Sequence, residues 1–262
     1  MKLLVKIGGT LLDAQDSRRC LTAELAAVAE GGIRLVVVHG GGKQMTRFLA
    51  ERGIESRFVN GLRVTTPETL DAVLKVLAGS VNQELVAAFI AAGARAVGLS
   101  GIDASLTEAE TMSPELGAVG RVVGSNPELL ELLTSHGYVP VVACVAGDRQ
   151  GRIYNVNADQ MASACAAAFG ADRLVFLTDV QGVLGADKQR LPVLSPADAE
   201  RLIQEGVAVG GMQAKLNAAM EALRKGVREI VIAPGAEPEI IRRVLAREAV
   251  GSRLVAEGTA ND

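Results

Sequence analysis

Residues 33–45, IRLVVVHGGGKQM, decide the fold class. The run IRLVVV is almost continuously apolar instead of alternating, the pattern of a strand buried on both faces of a parallel sheet. Three glycines follow, and a helical segment begins at about residue 43. Glycines let backbone approach a ligand closely, and a helix N-terminus favours an anion. One such join is accounted for by a tight strand-to-helix turn. The same design recurs at the start of the chain, where LLVKIGGT (3–10) runs from a strand into Gly8-Gly9. Two glycine turns at strand ends of one sheet mark the place where α/β folds bind ligands.

Further strand-like runs lie at 94–99, 138–143, 173–178 and 228–232, with helical segments between them. In TTPETLDAVLKVL, Thr66 can cap, Pro67 suits a first helical turn, and Leu70, Val73, Leu74 and Leu77 share a face. Helices are read at 67–78 and 81–92, at 158–169 and at 212–225. The alternation implies an α/β chain, a three-layer αβα sandwich around a mainly parallel open sheet. Residues 57–66, 106–123, 148–157 and 184–194 read as β-hairpins decorating its edges. A division near residue 170 separates lobes of 1–170 and 171–262.

Composition narrows the function. The 262 residues carry a net charge of only −3, with 3% aromatics and no Trp, so neither a basic footprint nor a stacking platform for nucleic acid is present. Cys20, Cys144 and Cys165 are an odd, scattered set, read as buried free thiols of a reducing compartment. The first residues do not form a signal peptide, and no uncharged apolar stretch reaches the ~18 residues of a membrane span. A cytoplasmic protein, away from membranes, is expected.

Among phosphate motifs, GxxxxGK[ST] is absent, and Met45 stands where GxGxxG needs its last glycine. His39, ending a buried strand, reads as a structural histidine. Two lysines are awkwardly placed. Lys6 interrupts an apolar strand, where a charge needs a partner. Lys215 follows Gly210-Gly211 near the start of a helix, where a cation opposes the macrodipole. Each sits beside a Gly-Gly pair, and together they point to one anion between them. In IYNVNADQM, Asn157 reads as a helix cap, and Asp159 can orient two ammonium groups or simply complement the helix dipole. Asn155 can donate an amide hydrogen bond to a substrate. Arg63 offers the fork a substrate carboxylate needs, although most such arginines are surface charges. The turn in LTDVQGVLG (177–185) suits a base and ribose.

Taken in order, VKIGGT, VVVHGGGKQ, FVNGLRVTTPETLDAV, VLAGSVNQELV, AVGLSGIDASL, YNVNADQMA, LTDVQGVL and GGMQAKL resemble the amino acid kinase family over essentially the whole chain. NGLRVT followed by VNQELV and AVGLSGID narrows the resemblance to members that act on N-acetyl-L-glutamate. It implies ATP-dependent phosphorylation of that substrate's γ-carboxylate in arginine biosynthesis, with Mg²⁺ carried on the ATP phosphates and no protein metal site. It implies an amino-acid lobe and dimerisation surface in 1–170 and an ATP lobe in 171–262. Lys6 and Lys215 become transition-state stabilisers organised by Asp159. Gly41, Gly42, Arg63 and Asn155 hold the substrate, and Gly8 and Gly9 sit at the moving phosphoryl group. Asp179, Val180, Gln181, Gly182, Val183 and Leu184, with Val207, Ala208 and Val209, line the nucleotide site. Arginine-inhibited members carry an extra N-terminal helix; here the first strand begins at about Lys2, so an arginine-insensitive homodimer is expected. Three alternatives stand beside this reading. They are a sister kinase acting on carrier-bound α-aminoadipate, aspartate or glutamate, a non-catalytic amino-acid sensor, and a nicotinamide enzyme lacking its fingerprint.

Overall fold

The computed structural model describes residues 1–256, so residues 257–262 of the expected second lobe lie outside the described residues. Strands in chain order are β1 (Lys2–Ile7), β2 (Arg34–His39), β3 (Phe58–Val59), β4 (Leu62–Arg63), β5 (Arg95–Ser100), β6 (Thr107–Thr111) and β7 (Val119–Ser125). They continue as β8 (Tyr138–Ala143), β9 (Val145–Gly147), β10 (Ile153–Val156), β11 (Arg173–Thr178), β12 (Val193–Leu194), β13 (Glu229–Pro234) and β14 (Ser252–Val255). Helices are α1 (Gln15–Glu30), α2 (Gly42–Ala50), α3 (Pro67–Val73), α4 (Asn82–Ala91), α5 (Glu128–Ser135), α6 (Ala158–Phe169), α7 (Pro196–Gln204), α8 (Gly210–Arg224) and α9 (Ile240–Leu245).

Among the described residues, eight strands form one sheet in the order β12-β14-β13-β11-β1-β2-β8-β5. From β13 to β5 every pairing is parallel, and β14 enters antiparallel to β13. The unbroken apolar runs explain this: β1, β2, β8 and β11 are covered on both faces, and their central residues are fully buried. β1 lies between β2 and β11, so Lys6 stands opposite Val38 on one side and Phe176 on the other. Helices α6 and α8 pack together, with α6 also crossing β1.

Three expectations change. The hairpins at 106–123 and 148–157 are not separate edge ornaments: β6–β7 and β9–β10 pair again, in parallel, into a small closed barrel in the order β10-β7-β6-β9. Closure leaves neither hairpin an unpaired edge. The two helices read at 67–78 and 81–92 are one 25-residue helix, Pro67–Ala91, with a π-helical stretch at Leu74–Val81 between α3 and α4. By length and composition that helix could cross a membrane, but Val76, Leu77, Val81, Leu85 and Phe89 pack into the core. Finally Cys20 is exposed on α1, whereas Cys144 and Cys165 are buried.

Candidate active site

The site forms at the C-terminal ends of β1, β2 and β11, where the chain turns on glycine. The Gly8 amide donates to the Leu177 carbonyl (3.0 Å), and the Gly40 amide to the Ile7 carbonyl (3.2 Å), which stitches the three strand ends together. The two turns then touch backbone to backbone. A Cβ on Gly9 would stand 3.0 Å from the Gly42 nitrogen and 3.2 Å from the Gly41 nitrogen. Helix α2 starts at Gly42 and α8 at Gly210, and among the described residues no side chain caps either one. Their first amides therefore lack intrahelical partners and are available to an anion.

Helix α6 supplies the counter-charge for the lysines. The Asn157 side chain caps it, accepting from the amides of Asp159 (2.9 Å) and Gln160 (3.2 Å). Asp159, buried in the first turn, meets the Lys6 ammonium at 2.8 Å through Oδ1 and that of Lys215 at 3.2 Å through Oδ2. Burial alone would push its carboxyl up, but the two ammonium groups outweigh that and hold it below the usual carboxylate range. One carboxylate cannot neutralise two ammoniums, so the cluster keeps one positive charge for an incoming anion.

Beside this triad a cleft of about 180 Å³ is walled by Gly40–Gly42, Arg63, Cys144 and Asn155–Ala158. Arg63, half-buried, stacks over the Phe58 ring and donates to the Gly42 carbonyl (3.1 Å), Thr46 Oγ1 (2.9 Å) and Ser56 Oγ. Asn155 donates to Thr65 Oγ1 at 3.0 Å. Thr46, Ser56 and Thr65 escape a reading of the sequence, since a hydroxyl that props another side chain leaves no periodic mark. Cys144 lines the cleft as a thiol, pushed up to about 11 by burial. The cleft widens into a polar hollow of about 500 Å³ between the β3–β4 tip and α8.

A separate hollow of about 470 Å³ is lined by Asp179–Gly182, Leu184, Val207–Val209 and Met212 and is mostly apolar. Val183 does not line it. Its side chain is buried, and its amide donates to Ser252 Oγ at 2.9 Å. A larger hollow, about 720 Å³, opens at the other end of the strands, around the Arg173–Glu229–Arg253 ion cluster and away from the glycine turns. It shares no residue with the Gly8–Gly9 and Gly40–Gly42 turns or with the Lys6–Asp159–Lys215 cluster, so it is the lesser candidate despite its size. His39 is fully buried, and desolvation lowers its pKa to about 4, which leaves it neutral at physiological pH.

The family model for the amino acid kinase family matches residues 1–234. An acetylglutamate kinase of Solibacter usitatus is 66% identical over 255 residues, which span 97% of this chain and 99% of that one. An acetylglutamate kinase of Acidobacterium capsulatum is 44% identical over 243 residues, 92% of this chain and 94% of that one. Among solved structures, the N-acetylglutamate synthase of Neisseria gonorrhoeae, complexed with coenzyme A and N-acetyl-glutamate, superposes with a TM-score of 0.88. It is 24% identical and covers 98% of this chain and 60% of that one, a likeness that bears on the fold alone.

Proposed function

The chain belongs to the amino acid kinase family, and from that premise we propose that it transfers the γ-phosphoryl group of ATP to the γ-carboxylate of N-acetyl-L-glutamate, in arginine biosynthesis. The observation that carries the chemistry is the convergence of two ammonium groups on one buried aspartate at the glycine-lined strand ends. The acceptor comes from relatives that match end to end.

A substrate carboxylate oxygen attacks the γ-phosphorus and forms the new P–O bond. The bond to the β,γ-bridging oxygen breaks, and ADP leaves with the electron pair. The nucleophile is already ionised at neutral pH, so no general base is needed. What remains is to align two anions and spread the charge of the transferred group. Lys6 and Lys215 supply the charge, Asp159 holds them in place, and Gly8 and Gly9 offer backbone room beside the phosphoryl group. Gly41 and Gly42 hold the acceptor, with Arg63 and Asn155 at its α-carboxylate end. Asp179–Gly182, Leu184 and Val207–Val209 take the nucleotide. Residues 1–170 then form the acceptor lobe and 171–262 the nucleotide lobe of one continuous sheet. The donors at the site are ammoniums and amides, which suit oxyanions, and its buried carboxylate is taken by both lysines. Mg²⁺ therefore rides on the ATP phosphates. A cytoplasmic homodimer completes the reading, and a hexameric mass in solution would contradict it.

The test is an acceptor panel read by ADP release: N-acetyl-L-glutamate, glutamate, aspartate, N-acetyl-aspartate and α-aminoadipate. The expected outcome is turnover with N-acetyl-L-glutamate far above the rest. Preference for another acceptor would overturn the assignment.

A further inference from the structure

Behind the 40–42 turn lies a buried pair with no part in the chemistry above. His39 Nδ1 stands 2.9 Å from the Gly40 carbonyl oxygen, and its Nε2 stands 3.0 Å from Nδ2 of Asn82, the first residue of α4. The same Asn82 Nδ2 donates to the Val141 carbonyl at 2.9 Å and reaches the Leu99 carbonyl at 3.4 Å. Turning the carboxamide over would set its oxygen against those carbonyl oxygens, so the donor assignment follows from the network. Room for it comes from Gly98, where a Cβ would sit 2.2 Å from Asn82 Oδ1.

Since Asn82 donates to Nε2, that nitrogen must accept, and a neutral ring then carries its proton on Nδ1 and donates to Gly40. In a trans peptide the carbonyl and the following N–H point opposite ways. Anchoring the Gly40 oxygen on His39 thus turns the Gly41 N–H away from the ring. The Gly41 and Gly42 nitrogens lie against Gly9, at 3.2 and 3.0 Å from where its Cβ would be. On the far side, Leu77 of the π-helical stretch covers Gly41, 2.4 Å from where its Cβ would be. We propose that Asn82 and His39 are positioning residues: through the ring tautomer they fix the Gly40–Gly41 peptide plane, so that the Gly41 and Gly42 amides face the reacting groups. The effect on rate rests on the phosphoryl-transfer reading, whereas the tautomer stands independently of it.

Long-range ¹H–¹⁵N spectra of the full chain should find the His39 proton on Nδ1. Asn82→Asp keeps the shape but replaces the donor with an acceptor, and it should draw the proton to Nε2. A donor so misaimed should lower kcat roughly 10- to 100-fold, short of the full loss of an oxyanion donor, with KM for ATP unchanged. His39→Asn, which keeps an N–H near the Nδ1 position, should hold kcat within a few-fold, while His39→Leu should fall as Asn82→Asp does. A merely structural role would lower thermal stability in these variants but leave kcat per folded molecule intact. A wild-type proton on Nε2 overturns the proposal, as does a folded Asn82→Asp with a moved proton and full kcat. If Asn82→Asp does not fold, the wild-type tautomer and the two His39 variants decide. An Nδ1 proton in a chain that phosphorylates no acceptor would refute the phosphoryl-transfer reading instead.

Discussion

Asp159 is ionised in a place that would suppress the charge of a lone carboxyl, because two ammonium groups share it. Asp159→Asn leaves both lysines buried without a counter-charge. Breaking a buried ion pair costs about 3–5 kcal/mol, so a clear fall in Tm is expected, together with a fall in kcat as the ammoniums lose their common anchor. Thermal unfolding and steady-state rates on one preparation check this. His39 acts in the same direction on acidification. It is neutral in the native chain down to about pH 4, while in the unfolded chain it takes up a proton below its ordinary 6.5. Between those values the unfolded state binds more protons, so stability falls as pH drops through the window, by about 3 kcal/mol in all. Asp159 adds a further loss at more acid pH, below the ordinary 3.8 and through its lowered native value. Urea midpoints measured against pH should show the first loss in the wild type and not in His39→Asn.

At the scale of elements, the two glycine turns differ in what they tolerate. A methyl on Gly9 meets the backbone of Gly41 and Gly42, which cannot move without displacing the site. A methyl on Gly41 meets Leu77 Cδ2, the end of a flexible side chain. Gly9→Ala should therefore abolish turnover, and no neighbouring truncation should rescue it. Gly41→Ala should be impaired but regain much of its kcat in Gly41→Ala/Leu77→Ala. Equal loss in the double variant would contradict the packing account. Element boundaries were legible where chemistry marks them: α6 begins after its Asn157 cap and ends at Gly170, whose left-handed backbone suits a residue without Cβ. The π-helical stretch was not, because Val76, Leu77 and Val81 keep an apolar face while Gly79-Ser80 mimics a break. Nor was the barrel, since local hairpin signals say nothing about which distant strand closes it. Strands β12 and β14, two and four residues long, carry too little pattern to stand out.

Across the whole molecule, the site joins residues from the first strand, the middle helix and the late helix. It exists because β1 lies between β2 and β11 while α6 crosses β1 and packs on α8. The sequence showed this as two misfits: a lysine in an apolar strand and a lysine at the wrong end of a helix dipole. Their shared need for a negative group was legible, and Asp159 meets half of it. Illegible were the supports at Thr46, Ser56, Thr65 and Asn82, whose roles depend on three-dimensional neighbours rather than spacing. The inward turn of Val183 was equally hidden within a run that otherwise lines the apolar hollow. All of this makes the surplus positive charge of the Lys6–Asp159–Lys215 cluster the centre of the account. The most direct measurement is kcat for Lys6→Ala and for Lys215→Ala with saturating ATP and N-acetyl-L-glutamate, on protein shown to be folded. Each variant should lose roughly 10²–10³-fold, the scale for removing one preorganised donor. Near-normal turnover in both would mean that the two ammonium groups do not act on the transferred phosphoryl group.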